Sequence, residues 1–344
     1  MRNEILDLLI RNAQQYVSGQ AMCQTFGVTR AAIWKHIKAL QAEGYEIVAS
    51  TKKGYCLVGL PDRVSPALVS RGMYTESFGQ NIVYEEVVDS TNRIAKKLAD
   101  EGAPEGTLVL CERQSAGRGR LGRTWASPKT SGLYMSLILR PDLVADMSLP
   151  LTMMTALAVR DAIGEVAGME AMIKWPNDIL LNGKKVVGIL TELSVDAGGK
   201  VKWIVVGIGV NVNTHLDELP EEVRDTATSL AIERGLDCSR LELVRSICYQ
   251  METLYRDFLD QGADAQSFLP RYRIYSSTLA RHVRMFAGTE EINGVAEDFD
   301  KDGALLIRTD DGALRRVFTG EVTSRPPQDA ANEASAADAG GNAQ

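Results

Sequence analysis

The stretch SAGRGRLGRTWASP, residues 115–128, contains GRGRLG and so satisfies G-x-G-x-x-G. Read as a dinucleotide fingerprint, it would make the fold a doubly wound parallel sheet with a pyrophosphate on a helix N-terminus. That reading needs a strand, a short glycine turn, a helix, and an acid about 20 residues further on. TLVLCE (107–112) supplies the strand, and Asp142 lies at a tolerable distance. The helix is missing: RTWASPKTSG follows, and Pro128 and Gly132 leave it no room. Three guanidinium groups also suit poorly a turn that holds phosphate through backbone amides. An RNA-binding Arg/Gly tract fits no better, because the motif occurs once, between two strand-like runs. What remains is a loop of flexible glycines and arginines that closes over an anionic ligand.

The flanking sequence fits a mixed sheet. IVYEEVV (82–88) reads as a strand and STNRIAKKLADEG (90–102) as a helix capped by Ser90. GLYMSLILR (132–140) is another strand, and the apolar SLPLTMMTALAVRDAIGEVAG (148–168) is a long buried helix. AMIKW (171–175), DILLNGKKVVGILTELSV (178–195) and KVKWIVVGIGVNV (200–212) are strand-like, with Asn182-Gly183 and DAGG (196–199) as hairpin turns. Adjoining hairpins predict an α+β domain whose mostly antiparallel or mixed sheet carries its helices on one side.

At 344 residues the chain is long enough for two or three domains. Its 45% apolar and 24% charged residues are ordinary for a soluble globular protein. No run approaches the roughly 18 apolar residues of a membrane span, and MRNEILDLLIRNAQQ is an amphipathic helix rather than a signal peptide. The expectation is a cytoplasmic protein with no membrane partner. Five scattered cysteines without a C-x-x-C pair read as reduced thiols. Three distant histidines give no support to a zinc site or a Ser/His triad. Net charge is −7, yet residues 1–60 hold seven Lys/Arg against four Asp/Glu, so the other 284 residues carry −10. A basic N-terminal segment on an acidic protein points to an anionic partner.

That segment has a recognisable order. After a helix over 3–12, residues 18–44 read as two helices joined by a tight turn, with Gly27 closing one and Thr29 capping the next. Ala32, Ile33, Ile37 and Leu40 form the apolar stripe of the second, leaving Arg30, Trp34, Lys35 and Lys38 mostly on the other face. Two short β runs around TKKG (51–54) complete a winged helix. As a DNA-binding set we name Thr29, Arg30, Lys35, Lys38, Lys52 and Lys53: Arg30 for base edges and the lysines for phosphates.

Four stretches carry the chemistry: DSTNR (89–93), ERQSAGRGRLGRTWASP (112–128), KWPNDILLNGKKVVGIL (174–190) and VVGIGVNV (205–212). They hold small hydrogen-bonding side chains, an Arg/Gly loop, three lysines and closely spaced glycines. In this order the motifs closely resemble those of biotin protein ligases. The reaction that the resemblance implies brings a carboxylate against an α-phosphate, which requires both to be neutralised and water to be excluded. With the winged helix in front, residues 1–325 look like the bifunctional class that is also a biotin operon repressor.

The resemblance implies biotin, ATP and Mg²⁺ as reactants, with biotinyl-5′-AMP as intermediate and corepressor. Its partners would be the biotin carboxyl carrier protein of acetyl-CoA carboxylase, operator DNA, and a second copy of the chain when the adenylate is bound. It implies that Arg118, Gly119 and Arg120 contact biotin and the phosphates, and that Lys185 bridges the biotin carboxylate and the α-phosphate. Lys185, Arg118 and Arg120 form the catalytic set. Ser90, Thr91, Asn92 and Gln114 take the ureido end; Arg123, Trp125, Asn177, Asn211, Glu321 and Arg325 take the nucleotide, Trp125 by stacking on adenine. No metal ligand is assigned, with Asp178 either capping a turn or helping to hold Mg²⁺. Where bifunctional relatives carry a fourth arginine this chain has Leu121, beside the family's dimer contact, which bears on dimerisation more than on catalysis. A ligand-sensing repressor without ligase activity and a lipoate ligase are the alternatives, and G-R-G-R with K-W-P-N-D favours biotin.

Residues 241–262 read as a helix closing the catalytic domain, and RHVRMFAG, EINGVAEDFD, GALLIRTDDG and ALRRVFTGEVTSR as strands of an SH3-like β-barrel. The expected division is a winged helix over 1–60, a linker over 61–66, a catalytic domain over 67–276 and a barrel over 277–325. The tail, 326–344, lacks bulky apolar residues and reads as disordered.

Overall fold

The computed structural model describes residues 1–129, 131–143, 148–287 and 290–324. The chain divides into two compact units between Arg63 and Val64.

The first unit contains α1 (Arg2–Arg11), α2 (Gly19–Phe26), α3 (Arg30–Ala42) and the antiparallel hairpin of β1 (Glu46–Ser50) and β2 (Gly54–Gly59). Gly27 ends α2 in the left-handed conformation, and the Thr29 hydroxyl accepts the Ala32 amide at 3.3 Å to start α3. Ile33, Ile37 and Leu40 are buried against Ile5, Leu9 and Met22, and Ala32 only partly. Arg30, Trp34, Lys35 and Lys38 lie on the exposed face, and Lys52 and Lys53 on the exposed hairpin turn.

The second unit is built on a seven-stranded sheet in the order β3-β4-β5-β9-β8-β7-β6. Its strands are β3 (Ile82–Val88), β4 (Leu108–Gln114), β5 (Gly132–Leu139), β6 (Met172–Lys174), β7 (Asp178–Leu181), β8 (Lys184–Val195) and β9 (Val201–Asn211). Only β3 and β4 run parallel, joined through α5 (Thr91–Asp100), so the sheet is mixed. Asn182 and Gly183, both at positive φ, make the two-residue turn between β7 and β8.

The helices lie on both faces of the sheet rather than one. Ala95 and Ala99 of α5 pack on Val109, Ile138 and Val205. The opposite face receives α6 (Ser148–Ala167) and α8 (Arg240–Asp260): Thr152 bonds Thr191 at 2.7 Å, and Arg240 bonds the Gly132 carbonyl. With both faces covered, every residue of β5 is buried. A strand with no polar–apolar alternation does not say which side is covered, so GLYMSLILR could not reveal the second layer. On the α8 side Arg240 meets Glu112 at 2.8 Å, both side chains almost wholly buried, a pair whose breaking costs about 3–5 kcal/mol. Burial tends to raise the Glu252 carboxyl, but the amides of Phe78, Ser77 and Glu76 outweigh it and hold the pKa below the usual range. All five cysteines are free, and burial pushes the thiols of Cys111 and Cys248 up to about 12.

Short helices α4 (Pro66–Ser70), α7 (Leu230–Arg234) and α9 (Leu269–Ile274) fill the connections. Pro66 therefore begins a helix rather than ending a linker. Beyond α9, β10 (His282–Ala287), β11 (Glu290–Phe299), β12 (Leu305–Thr309), β13 (Leu314–Val317) and β14 (Glu321–Ser324) form a small antiparallel SH3-like sheet, β13-β12-β11-β10-β14. The last predicted strand stretch is two strands, separated at Gly320. Trp175, between β6 and β7, ties this sheet to the main one by donating to the Gly303 carbonyl at 3.1 Å, and Arg273 ties it to α9 by pairing with Asp298 at 2.6 Å. Among the described residues no helix is long and apolar enough to cross a membrane. The tail, 326–344, lies outside the described residues.

Candidate active site

The cavity follows from strand alternation. On the α5 side of the sheet, β8 presents Gly188, Leu190 and Glu192, and β9 presents Gly209, Gly207 and Val205 opposite them. Tyr134 and Ser136 of β5 flank the same two glycines of β9. Three missing side chains on adjoining strands leave a hollow that widens into a cavity of about 990 Å³. The hollow is shared with two side chains. A Cβ on Gly209 would stand 2.5 Å from the Trp125 indole nitrogen, and one on Gly188 would stand 2.8 Å from the same ring. A Cβ on Gly207 would reach within 2.0 Å of the Asn92 carbonyl oxygen. The glycines thus admit Trp125 and Asn92 close to the backbone.

One wall of the cavity is the start of α5 with the end of β4. Ser90 occupies the N-cap position, yet its side chain makes no capping bond; the Ser90 amide is taken by Asp89 at 2.7 Å. Its hydroxyl is left for the cavity it lines. Thr91 donates its amide to Gln114 Oε1 at 2.9 Å, and the Gln114 amide turns to Ser127 Oγ at 2.9 Å. Asn92 also lines the cavity, with its amide engaged by Glu192, Leu190 and Ser136.

A second wall is the Gly/Arg loop, whose glycines have different reasons. Gly117 is steric, since a Cβ there would meet the Trp125 carbonyl at 2.4 Å. Gly122 is conformational, at φ +76°, and Gly119 has ordinary room. The Gly119 amide bonds the Arg123 carbonyl at 2.8 Å and the Trp125 amide bonds that of Gly117 at 2.9 Å, making a hairpin that aims Arg118, Arg120 and Arg123 at the cavity. Arg120 donates to Asn177 Oδ1 at 2.8 Å and to Thr319 Oγ1 at 3.0 Å, tying the loop to the main and C-terminal sheets. Leu121 stands at φ +54° and is 74% exposed, a left-handed non-glycine residue costing about 1 kcal/mol.

The third wall is the β7–β8 hairpin. Lys185 pairs with Asp178 at 2.7 Å, and its ammonium lies 5.5 Å from the centre of the Trp125 ring. Asn177 Nδ2 holds the Ile189 carbonyl at 3.0 Å, and Asn211 Nδ2 that of Thr228 at 3.0 Å. Lys185, Asp178, Trp125, Asn177 and Asn211 all line the cavity. Of the expected nucleotide residues, Glu321 begins β14 between the lining residues Gly320 and Val322, while Arg325 lies outside the described residues. The DNA set belongs to the other compact unit.

Several lining residues had no motif to announce them. Pro220, Glu222, Val223 and Thr226 come from a connecting segment whose backbone bonds Lys185, and Arg281 enters from the approach to β10. Gly188 did carry a signal, as an isolated glycine in a strand pattern. Among the described residues no cluster of three or more His, Cys, Asp or Glu could hold a metal ion.

The cavity joins a neutral polar end to a cationic one, matching a ligand with an uncharged hydrogen-bonding head and an anionic tail. Residues 84–211 match the model of the biotin/lipoate A/B protein ligase family, residues 2–56 that of an HTH domain, and residues 278–323 that of the biotin protein ligase C terminal domain. The bifunctional ligase/repressor BirA of Bacillus subtilis is 38% identical over 322 residues, 94% of this chain and 98% of that protein. The chain belongs to the biotin protein ligase family. Another member, the biotin–[acetyl-CoA-carboxylase] ligase of Paracoccus denitrificans, is 38% identical over 64% of this chain and 91% of its own length. The biotin protein ligase from Aquifex aeolicus in complex with biotin and ATP superposes with a TM-score of 0.61 at 32% identity, covering 72% of this chain and 99% of that structure.

Proposed function

We propose that the chain is an ATP-dependent biotin protein ligase that doubles as a repressor of biotin genes responding to biotinyl-5′-AMP. The observation that carries this reading is convergence: DSTNR, the Gly/Arg loop, KWPND and GIGVN, far apart in sequence, line one cavity. In the first step a biotin carboxylate oxygen attacks the α-phosphorus of ATP and pyrophosphate leaves. Lys185, with Arg118 and Arg120, neutralises the two anions and the charge that develops between them. Ser90, Thr91, Asn92 and Gln114 hold the ureido end, and Gly119 joins Arg118 and Arg120 in contacting biotin and the phosphates; Arg123, Trp125, Asn177, Asn211, Glu321 and Arg325 hold the nucleotide. Mg²⁺ would arrive on the phosphates, to which it supplies charge neutralisation, with Asp178 either capping a turn or helping to hold it through water. In the second step the ε-amine of a carrier-protein lysine attacks the acyl carbonyl, forming an amide and releasing AMP. No protein nucleophile is required.

The winged helix supports the second role: Thr29 fixes the start of α3, Arg30 stands there for base edges, and Lys35, Lys38, Lys52 and Lys53 are exposed for phosphates. We further propose that adenylate-bound chains pair on a two-fold operator, with Leu121 modulating the strength of that pairing. The ligase reading is tested by biotin-dependent exchange of labelled pyrophosphate into ATP. Exchange with biotin and not with lipoate is expected; lipoate-only exchange would make the chain a lipoate ligase, and no exchange a ligand sensor.

A further inference from the structure

Helix α3 carries a large aromatic side chain where its packing asks for none. Trp34, one turn beyond Arg30, is 55% exposed, whereas the buried stripe of the helix is Ile33, Ile37 and Leu40. Ala31, three residues earlier and also exposed, is its neighbour on the helix surface. Arg30, Lys35 and Lys38 flank this apolar spot, and the Lys38 ammonium lies 5.9 Å from the centre of the indole ring. A lone exposed apolar residue is ordinary, but this setting restricts what can cover it. The cations select a polyanion. An indole cannot neutralise a phosphate, and its single N–H makes it a poor reader of base edges by hydrogen bonding. What it offers is apolar surface, and the apolar feature of a major groove is the C5-methyl of thymine. The first turns of a recognition helix are the part that reaches base edges, and Trp34 opens the second turn of α3.

We propose that Trp34 is a specificity-determining residue of the DNA-binding unit: its ring packs on a thymine methyl in the major groove, so that the operator carries thymine at that step. This rests on the repressor reading above. It adds to Arg30, which meets base edges through hydrogen bonds, and to the lysines, which meet phosphates, a contact of a different kind. Two signatures separate such a contact from the charged ones. It depends on one carbon atom of the DNA, and it releases no counterion, so it leaves the salt dependence of binding alone.

The test uses the full chain with biotinyl-AMP and the duplexes that it enriches from a random pool. Each thymine of an enriched duplex is replaced in turn by deoxyuridine, which lacks only the methyl, and affinity is read by fluorescence anisotropy. In wild type at least one thymine is expected to matter, with binding about fourfold weaker once its methyl is gone. Trp34→Ala, which leaves the buried stripe of α3 untouched, is expected to bind the unmodified duplex about tenfold more weakly and to bind the thymine and deoxyuridine forms equally. The slope of log affinity against log salt should stay as in wild type. Wild type indifferent to every methyl overturns the proposal. So does a Trp34→Ala chain that still discriminates at that position, or one that binds the unmodified duplex as wild type does, which would leave the indole to a protein partner. A changed salt slope in the variant would place its effect on phosphates and overturns the proposal as well. A pool from which wild type enriches no duplex refutes the repressor reading itself, an outcome separate from enrichment without a methyl effect.

Discussion

Lys185 is held by three features at once: the bond to Asp178, the indole of Trp125 and backbone bonds to Thr226 and Thr228. Its side chain is partly exposed in the cavity, so its removal leaves no buried unpaired charge except at Asp178, itself 21% exposed. Lys185→Ala should therefore fold with little change in melting temperature while adenylation falls at least about 100-fold, the scale for one lost electrostatic contact to a developing charge. Pyrophosphate exchange alongside thermal melting checks this, and full exchange in the variant removes Lys185 from the mechanism. Of the two lysines in the hairpin, the family resemblance singled out Lys185. It did not reach Glu192 or Ser136, which belong to no local pattern and meet Asn92 only when β5, β8 and α5 pack.

At the scale of elements, the winged helix and the hairpins were legible because each is written locally. Thr29 as cap, Gly27 as stop and Asn182-Gly183 as turn need no distant partner to take their shapes. The two-sided layering of the main sheet was not legible, since a strand buried on both faces looks the same wherever its helices lie. For α3, the exposure of Lys35 and Lys38 predicts a backbone-binding role. If each meets one phosphate, Lys38→Ala should reduce the slope of log affinity against log salt by about 1. Fluorescence anisotropy on a biotin-gene operator, with biotinyl-AMP present, measures it. An unchanged slope would take Lys38 off the phosphate backbone.

For the whole molecule, the site belongs to no single segment. Its floor is the glycine hollow of β8 and β9, its walls come from α5, the Gly/Arg loop and the β7–β8 hairpin, and Thr319 reaches the loop from the C-terminal sheet. GRGRLG, at first sight a nucleotide fingerprint, works here as a charged hairpin laid against that floor. A site assembled this way can hold an acyl adenylate away from water until an amine arrives, which is the central claim. The most direct measurement is the intact mass of a biotin carboxyl carrier domain after incubation with this chain, biotin and ATP. A single biotinyl addition is predicted, absent when the acceptor lysine is changed to arginine or ATP is withheld. A carrier of unchanged mass, under conditions where an authentic ligase modifies it fully, would contradict the account.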